Sequence, residues 1–408
     1  MKIGQKIDCF IPYFVGFILI SILFLPDIQL TSMPGIQIVD ICIPCIVLIL
    51  FIKRNSIKWS SYFTFILLFA LYVLITIFIN DRLDSVRDYF ELYKFFKYLS
   101  IILLVLLLDV SLFLQKWIIP LFIALVVVNM LHYFDIFNFN HFLERYYDGG
   151  LNISLFGKDT LGNPATKRMA GIIGNPNNNA VLFSFFVIYF FPFFFERKKL
   201  IWFLIALLMV FLCQSKTTFI VLGAFFIAIF IFRLVKWTLK QWFIFSGSIL
   251  IMLFFSWASS SNGFETGIYT ETIFTGDVVE TNSAKGRLEI WSYLGEMILN
   301  KPVFGHGPNK DFFYENKIYS ENEYVLYAWR YGFIGLFCYL LIYFIPFIQT
   351  RSKENPASKY MIMIVALMLT TALTNNPFTE RNILIIFAFS IGVLLNISNQ
   401  HKLKGIST

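Results

Sequence analysis

Apolar runs of bilayer-spanning length recur along almost the whole chain, and they leave few folds open. A hydrocarbon core of about 30 Å takes about 20 apolar residues per helix, and backbone in lipid must satisfy its own hydrogen bonds. About twelve stretches approach that length: residues 10–25, 36–52, 60–79, 95–110, 117–137, 179–195, 200–213, 217–232, 242–257, 324–348, 360–373 and 383–397. With 58% hydrophobic and 14% charged residues among 408, the chain has too little polar surface to clothe a water-soluble globule. The expected fold is therefore all-α, a polytopic membrane protein with about 12 transmembrane helices and one integral membrane domain over residues 1–408. No cleavage site follows the first run, so the first helix is expected to stay.

Basic residues set the expected orientation, because short cytoplasmic loops are enriched in Lys and Arg. Alternate connections carry Lys53, Arg54 and Lys58, then Lys116, Arg197 to Lys199, Arg233 to Lys240, and Arg351 to Lys359. With both ends of the chain, that side holds about 17 basic residues against about 4 acidic ones. Both termini are expected in the cytoplasm. The net charge of +8 thus reports topology and gives no reason to propose nucleic acid as a partner. The cysteines fall mostly inside apolar runs, and Cys42 and Cys45, although spaced as CxxC, have no His or second Cys pair nearby. Small apolar helix residues are the reading that fits them.

Two external connections, residues 138–178 and 258–323, are far longer than the rest, and long loops of that kind usually carry function. In the first, KRMAGIIGNPNNN runs straight into a membrane helix, with Asn175 as N-cap and Pro176 at the first helical position. The helix start would aim free N–H groups and a positive dipole end toward the region beside Arg168. An ordinary helix start with a snorkelling Arg accounts for the same spacing. The short turn QSKTTF sets Lys216 between two helices with little loop on which to reach water.

In the second loop Leu288, Trp291, Leu294 and Ile298 recur at helical spacing, which predicts an amphipathic helix with Arg287 near its start. The turn Gly305-His306-Gly307-Pro308 follows, permitting close backbone approach to a neighbour or simply reversing the chain. Glu321 and Glu323 precede the next membrane helix, where carboxylates complement the dipole. Arg330 lies about two turns into that helix, where a charge needs a pair or a wet cavity. Glu380 and Arg381, in the last outer turn, either join such a site or pair with each other.

Taken in order, Arg168 before GNPNN, a Ser-basic pair, GRLEIW, KPVFGHGP, Asn-x-Tyr at Asn322 and Gly-x-x-Gly at Gly332 resemble the O-antigen polymerase and ligase superfamily of bacterial envelope glycosyltransferases. The resemblance spans about Lys167 to Leu341. It implies a transferase at the outer face of the inner membrane, acting on glycan carried by a polyprenyl diphosphate, with membrane lipids and a chain-length regulator as further candidate partners. It also implies that Arg168, Lys216 and Arg287, which match the family's basic positions, clamp the diphosphate. The candidate catalytic residues are then Arg168, Arg287 and Glu321, the last as general base, and the candidate substrate-binding residues are Lys216, Asn175, Asn177, His306, Asn322 and Arg330. Lys216 stands where the family usually has Arg, and Glu321 where its ligases tend to carry His, which favours a polymerase over a ligase. No acidic cluster with metal-ligand spacing is evident, so neither metal nor cofactor is expected. A flippase for lipid-linked oligosaccharide would suit the helix count, but the candidate residues gather at one face rather than at mid-membrane.

Overall fold

The structure is a computed structural model and describes residues 3–30, 33–147, 168–191, 197–213, 215, 247, 282–351 and 355–406. Helices dominate: α1 (Ile3–Phe24), α2 (Ile38–Ile52), α3 (Ser61–Ile79), α4 (Val86–Val105), α5 (Val110–Phe134), α6 (Phe139–Tyr146) and α7 (Pro176–Phe190). They continue with α8 (Arg197–Leu212), α9 (Asn282–Asn300), α10 (Lys310–Glu315), α11 (Glu323–Thr350), α12 (Pro356–Ala372) and α13 (Arg381–Ile406). Among the described residues the extended structure is a two-stranded antiparallel hairpin, β1 (Ile28–Leu30) and β2 (Met33–Ile36). The expected all-α membrane architecture is what the chain adopts. Helices α1, α3, α5, α11 and α13 are long and apolar enough to cross a bilayer, while α2, α8 and α12 are shorter apolar helices. The spans expected at 217–232 and 242–257 lie outside the described residues, apart from the single residue Gly247.

The chain forms two compact units, the first Met1–Ile119, Gly286–Val365 and Ala372–Thr408, the second Pro120–Lys285 and Ala366–Thr371. In the second, Phe122 on α5 packs among Phe183, Phe186 and Phe190 of α7 and Trp202 of α8. Aromatic burial of this kind replaces lipid contact with specific packing. In the first unit α4 is central, with α1, α2, α3, α10 and α13 all packed on it. This helix departs from the hydropathy reading. Expected at 95–110, it begins at Val86 and takes in Asp88, Glu91, Lys94 and Lys97, all buried. Those four recur at every third position, so they form one stripe on a helix that is polar toward its neighbours.

Helix α11 is interrupted at Gly332, whose φ of 65° and ψ of −169° lie outside the helical region. A break inside a membrane helix frees backbone groups that lipid cannot satisfy. The turn after α9 supplies the partners: His306 N–H donates to Trp329 O at 3.0 Å, and Phe333 N–H donates to Pro302 O at 2.8 Å. Tyr72 of α3 completes the set by donating to Tyr331 O at 2.8 Å. The approach is close enough to require glycine on both sides. A Cβ at Gly332 would lie 2.2 Å from Val303 O, and one at Gly305 (φ +64°) would lie 2.5 Å from Arg330 O.

The amphipathic helix expected after Lys285 is α9, with Leu294 and Ile298 buried against Ala328 and Trp329 of α11. Its expected stripe is narrower than the spacing suggested. Leu288 is 49% exposed, and Trp291 Nε1 donates to Ser320 O instead of packing in that core.

Substituting Gly332→Ala is expected to destabilise the first unit by about 2 kcal/mol or more, the scale of a strained positive-φ residue with a steric contact added. A drop in the thermal unfolding midpoint of the detergent-solubilised chain would register it. An unchanged midpoint would show that the 302–306 turn does not depend on the break.

Candidate functional site

The predicted residues fall into two groups, one on each unit. On the second unit, Asn175 caps α7, its Oδ1 accepting from Asn177 N–H at 2.8 Å with Pro176 at the helix start, as the spacing predicts. Arg168 lies beside this helix start and donates from Nη2 to Asn177 Oδ1 at 3.1 Å and from Nε to Cys213 O at 3.4 Å. Ser215, fully buried, donates its hydroxyl to the same Asn177 oxygen. The result is a guanidinium at the positive end of a helix, the combination that suits an oxyanion. Lys216 lies outside the described residues.

On the first unit, Arg287 of α9 and Glu321 form an ion pair through Nε and Oε2, with Glu321 45% exposed. Glu321 has a positive φ of 43°, a conformation uncommon for a residue with a side chain. The next residue, Asn322, caps α11 by accepting from Tyr324 N–H at 3.0 Å and Val325 N–H at 3.1 Å. The cap thus sets where the Arg287–Glu321 pair stands, immediately before a helix start. His306 serves packing: its ring stacks on Trp329, and Nε2–H donates to Met297 O at 3.0 Å. Burial pushes its pKa below the usual imidazole value, against the pull of the Met297 carbonyl.

Arg330 is buried and meets a partner that hydropathy reading passed over. Glu91 of α4, also buried, accepts from Lys94 Nζ at 2.5 Å through Oε2 and pairs with Lys310 Nζ at 2.9 Å through Oε1. Arg330 Nη1 stands 3.5 Å from that second oxygen, and its guanidinium lies over the Phe313 ring. Its Nε and Nη1 make no hydrogen bond. Three cations therefore surround one buried carboxylate. Next to them, Arg82 pairs with Asp88 and Asp311, and Arg87 with Asp311. Burial pushes the Asp311 pKa up, but hydrogen bonds from Ser85 and Arg87 and the charges of Arg82 and Arg87 outweigh it. The net effect holds the carboxyl below its usual range.

Glu323 is a second residue that the sequence reading treated only as a dipole partner. It is fully buried and accepts from Phe378 N–H at 2.9 Å, Thr379 Oγ1 at 2.8 Å and Tyr339 OH at 2.8 Å. This carboxylate ties the start of α11 to the turn before α13. Arg381, the first residue of α13, pairs with Asp27 at 2.9 Å and donates to Gly35 O, on the hairpin side. The three-residue spacing of Asp88, Glu91, Lys94 and Lys97 was the one available signal for the α4 stripe, and nothing in it named the partners.

Residues 201–340 match the family model described as O-antigen ligase. The match takes in Arg287, His306, Glu321, Asn322 and Arg330, and leaves Arg168, Asn175, Asn177 and the α4 stripe outside it. No curated protein matches the chain.

Replacing Glu91 by Gln removes the shared counter-charge of Lys94, Lys310 and Arg330. Breaking a buried pair while leaving its cations in place costs about 3–5 kcal/mol, so the variant is expected to unfold at a distinctly lower temperature in detergent. The double variant Glu91→Gln/Lys94→Met is expected to recover part of that loss. Stability equal to the parent in Glu91→Gln would mean that the cations are neutralised elsewhere.

Proposed function

With residues 201–340 carrying the O-antigen ligase domain of the O-antigen polymerase and ligase superfamily, this multi-pass membrane protein is one that we propose to be a surface-glycan polymerase. In this reading it transfers a growing glycan from polyprenyl diphosphate onto the next lipid-linked repeat unit, at the outer face of the bacterial inner membrane. The observation that carries the reading is the Arg287–Glu321 pair standing directly before the capped start of α11.

The chemistry follows from those two groups. A hydroxyl oxygen of the acceptor sugar attacks the anomeric carbon of the donor, the bond from that carbon to the diphosphate oxygen breaks, and polyprenyl diphosphate leaves. Negative charge builds on the leaving diphosphate, where fixed guanidinium groups and helix N-termini stabilise it most where water is excluded. Arg287 and Arg168, with Lys216, take that role, while Asn175 and Asn177 shape the α7 helix start. When the diphosphate draws the guanidinium of Arg287, Glu321 is released to accept the hydroxyl proton as general base. Asn322 fixes the backbone beside it, His306 holds the 302–307 turn, and Arg330 adds positive potential. Glu321, where the family's ligases tend to carry His, favours the polymerase. The description of the matching model favours the ligase, and the cellular test separates the two.

Deletion of the gene is expected to collapse a surface-glycan ladder to the band carrying one repeat unit. Loss of every transferred band, with lipid-linked polymer accumulating, would instead identify a ligase. Arg287→Ala and Arg168→Ala, expressed at parental level, are each expected to lower turnover by about a hundredfold, the scale of losing one transition-state charge partner. Glu321→Gln should abolish polymer, and a full ladder from that variant would remove the general-base role. For the proposed topology, a fluorescent protein fused after Thr408 should mature in the cytoplasm, whereas a periplasm-dependent phosphatase fused there should stay inactive.

A further inference from the structure

We propose that His132 is a positioning residue for Arg168, holding the segment that carries it at the start of α7. His132 lies in the last turn of α5, fully buried, within the second unit. Its Nε2 is 3.2 Å from the backbone nitrogen of Ala170, and its Nδ1 is 2.5 Å from Asn140 Oδ1. A backbone N–H can only donate, so Nε2 accepts and the ring proton sits on Nδ1, donated to Asn140. Asn140 is oriented for this by its own amide, which donates from Nδ2 to His132 O at 3.1 Å, and by Asp135 Oδ1, which takes its backbone N–H at 2.8 Å. The neutral imidazole is thereby fixed in one tautomer with its lone pair aimed at Ala170.

The segment after Arg168 is gripped by three helices in succession. Met169 N–H donates to Leu212 O of α8 at 3.0 Å, Met169 O accepts from Asn179 Nδ2 of α7 at 3.1 Å, and Ala170 N–H goes to His132 of α5. Asn179 Nδ2 also donates to Asn129 Oδ1, one turn before His132 on α5, at 2.8 Å. Gly171, with φ +58°, passes so close that a Cβ would lie 2.3 Å from the Asn129 oxygen. These polar groups have no need of one another for helix formation. Their common effect is to fix the backbone from which Arg168 reaches Asn177 and Cys213 O. The catalytic half of this inference rests on the proposed role of Arg168.

The test uses the full chain in detergent, with hydrogen exchange over residues 168–174 and transfer kinetics on a lipid-linked donor as separate readouts. In His132→Asn the Nδ1 contact survives and the acceptor for Ala170 is lost, so exchange is expected to rise and kcat to fall, each by about tenfold, the worth of one such hydrogen bond. His132→Gln places Oε1 near the Nε2 position and should restore both to within about threefold. Because His132 acts through Arg168, His132→Asn/Arg168→Ala should be no slower than Arg168→Ala alone. Parental exchange in His132→Asn, or a double variant slower than Arg168→Ala by the full His132→Asn factor, overturns the proposal. If His132→Asn fails to accumulate, Asn140→Ala removes the Nδ1 acceptor without altering α5 and should give the same rise in exchange. Full turnover in Arg168→Ala would overturn the functional reading of that arginine and the catalytic half with it, while the exchange comparison decides whether His132 holds the segment.

Discussion

The interruption of α11 at Gly332 is the constraint around which the first unit is arranged. A helix broken where water is scarce must find partners for its freed backbone groups, and the 302–306 turn and Tyr72 provide them. That requirement brings the end of α9, the turn through His306 and the middle of α11 into backbone contact. Gly305 and Gly332 face each other's chain segments with no room for side chains. The Gly-rich turn and the Gly-x-x-Gly, which stand apart in the sequence, are thus two sides of one joint.

The joint fixes where α10 and the start of α11 approach α4, and the charges follow. Arg330, two residues before the break, shares Glu91 with Lys94 and Lys310. Isolated charges on a membrane helix would be costly, but here opposite charges come from α4, α10 and α11 together. Glu323 serves the next connection in the same way, satisfied by a backbone N–H and two hydroxyls from α11 and the turn before α13. A frame held this firmly presents the Arg287–Glu321 pair at a defined helix start.

The second unit solves a comparable problem with neutral groups. Asn129, His132, Asn140 and Asn179 lie buried on or beside apolar helices and bond to one another and to the 169–170 backbone. Hydropathy scanning treats Asn129 and His132 as small interruptions of an apolar run. The value of the buried polar set emerges only when α5, α7 and the segment from Arg168 are side by side, because Asn179 finds its acceptors on α5 and at Met169, and Ala170 finds its acceptor on α5.

What the sequence determined by itself is local or imposed by the solvent. Lipid demands helices of about 20 apolar residues, so most helices stand near their expected positions. The cap at Asn175 was legible because a cap bonds only two or three residues ahead, whereas Asn322 was read only as part of a motif and its capping of α11 came from the structure. The family resemblance rested on the same ordered local motifs. Tertiary structure alone decided the rest. The burial of Glu91 in the charged stripe of α4 is matched by Lys310 and Arg330, more than 200 residues away in the chain. His306 became a packing residue because Trp329 lies against it, and Glu321 gained Arg287 because α9 folds back on α11. Charge burial is settled by partners, and partners so distant in the chain leave no trace in the spacing of residues.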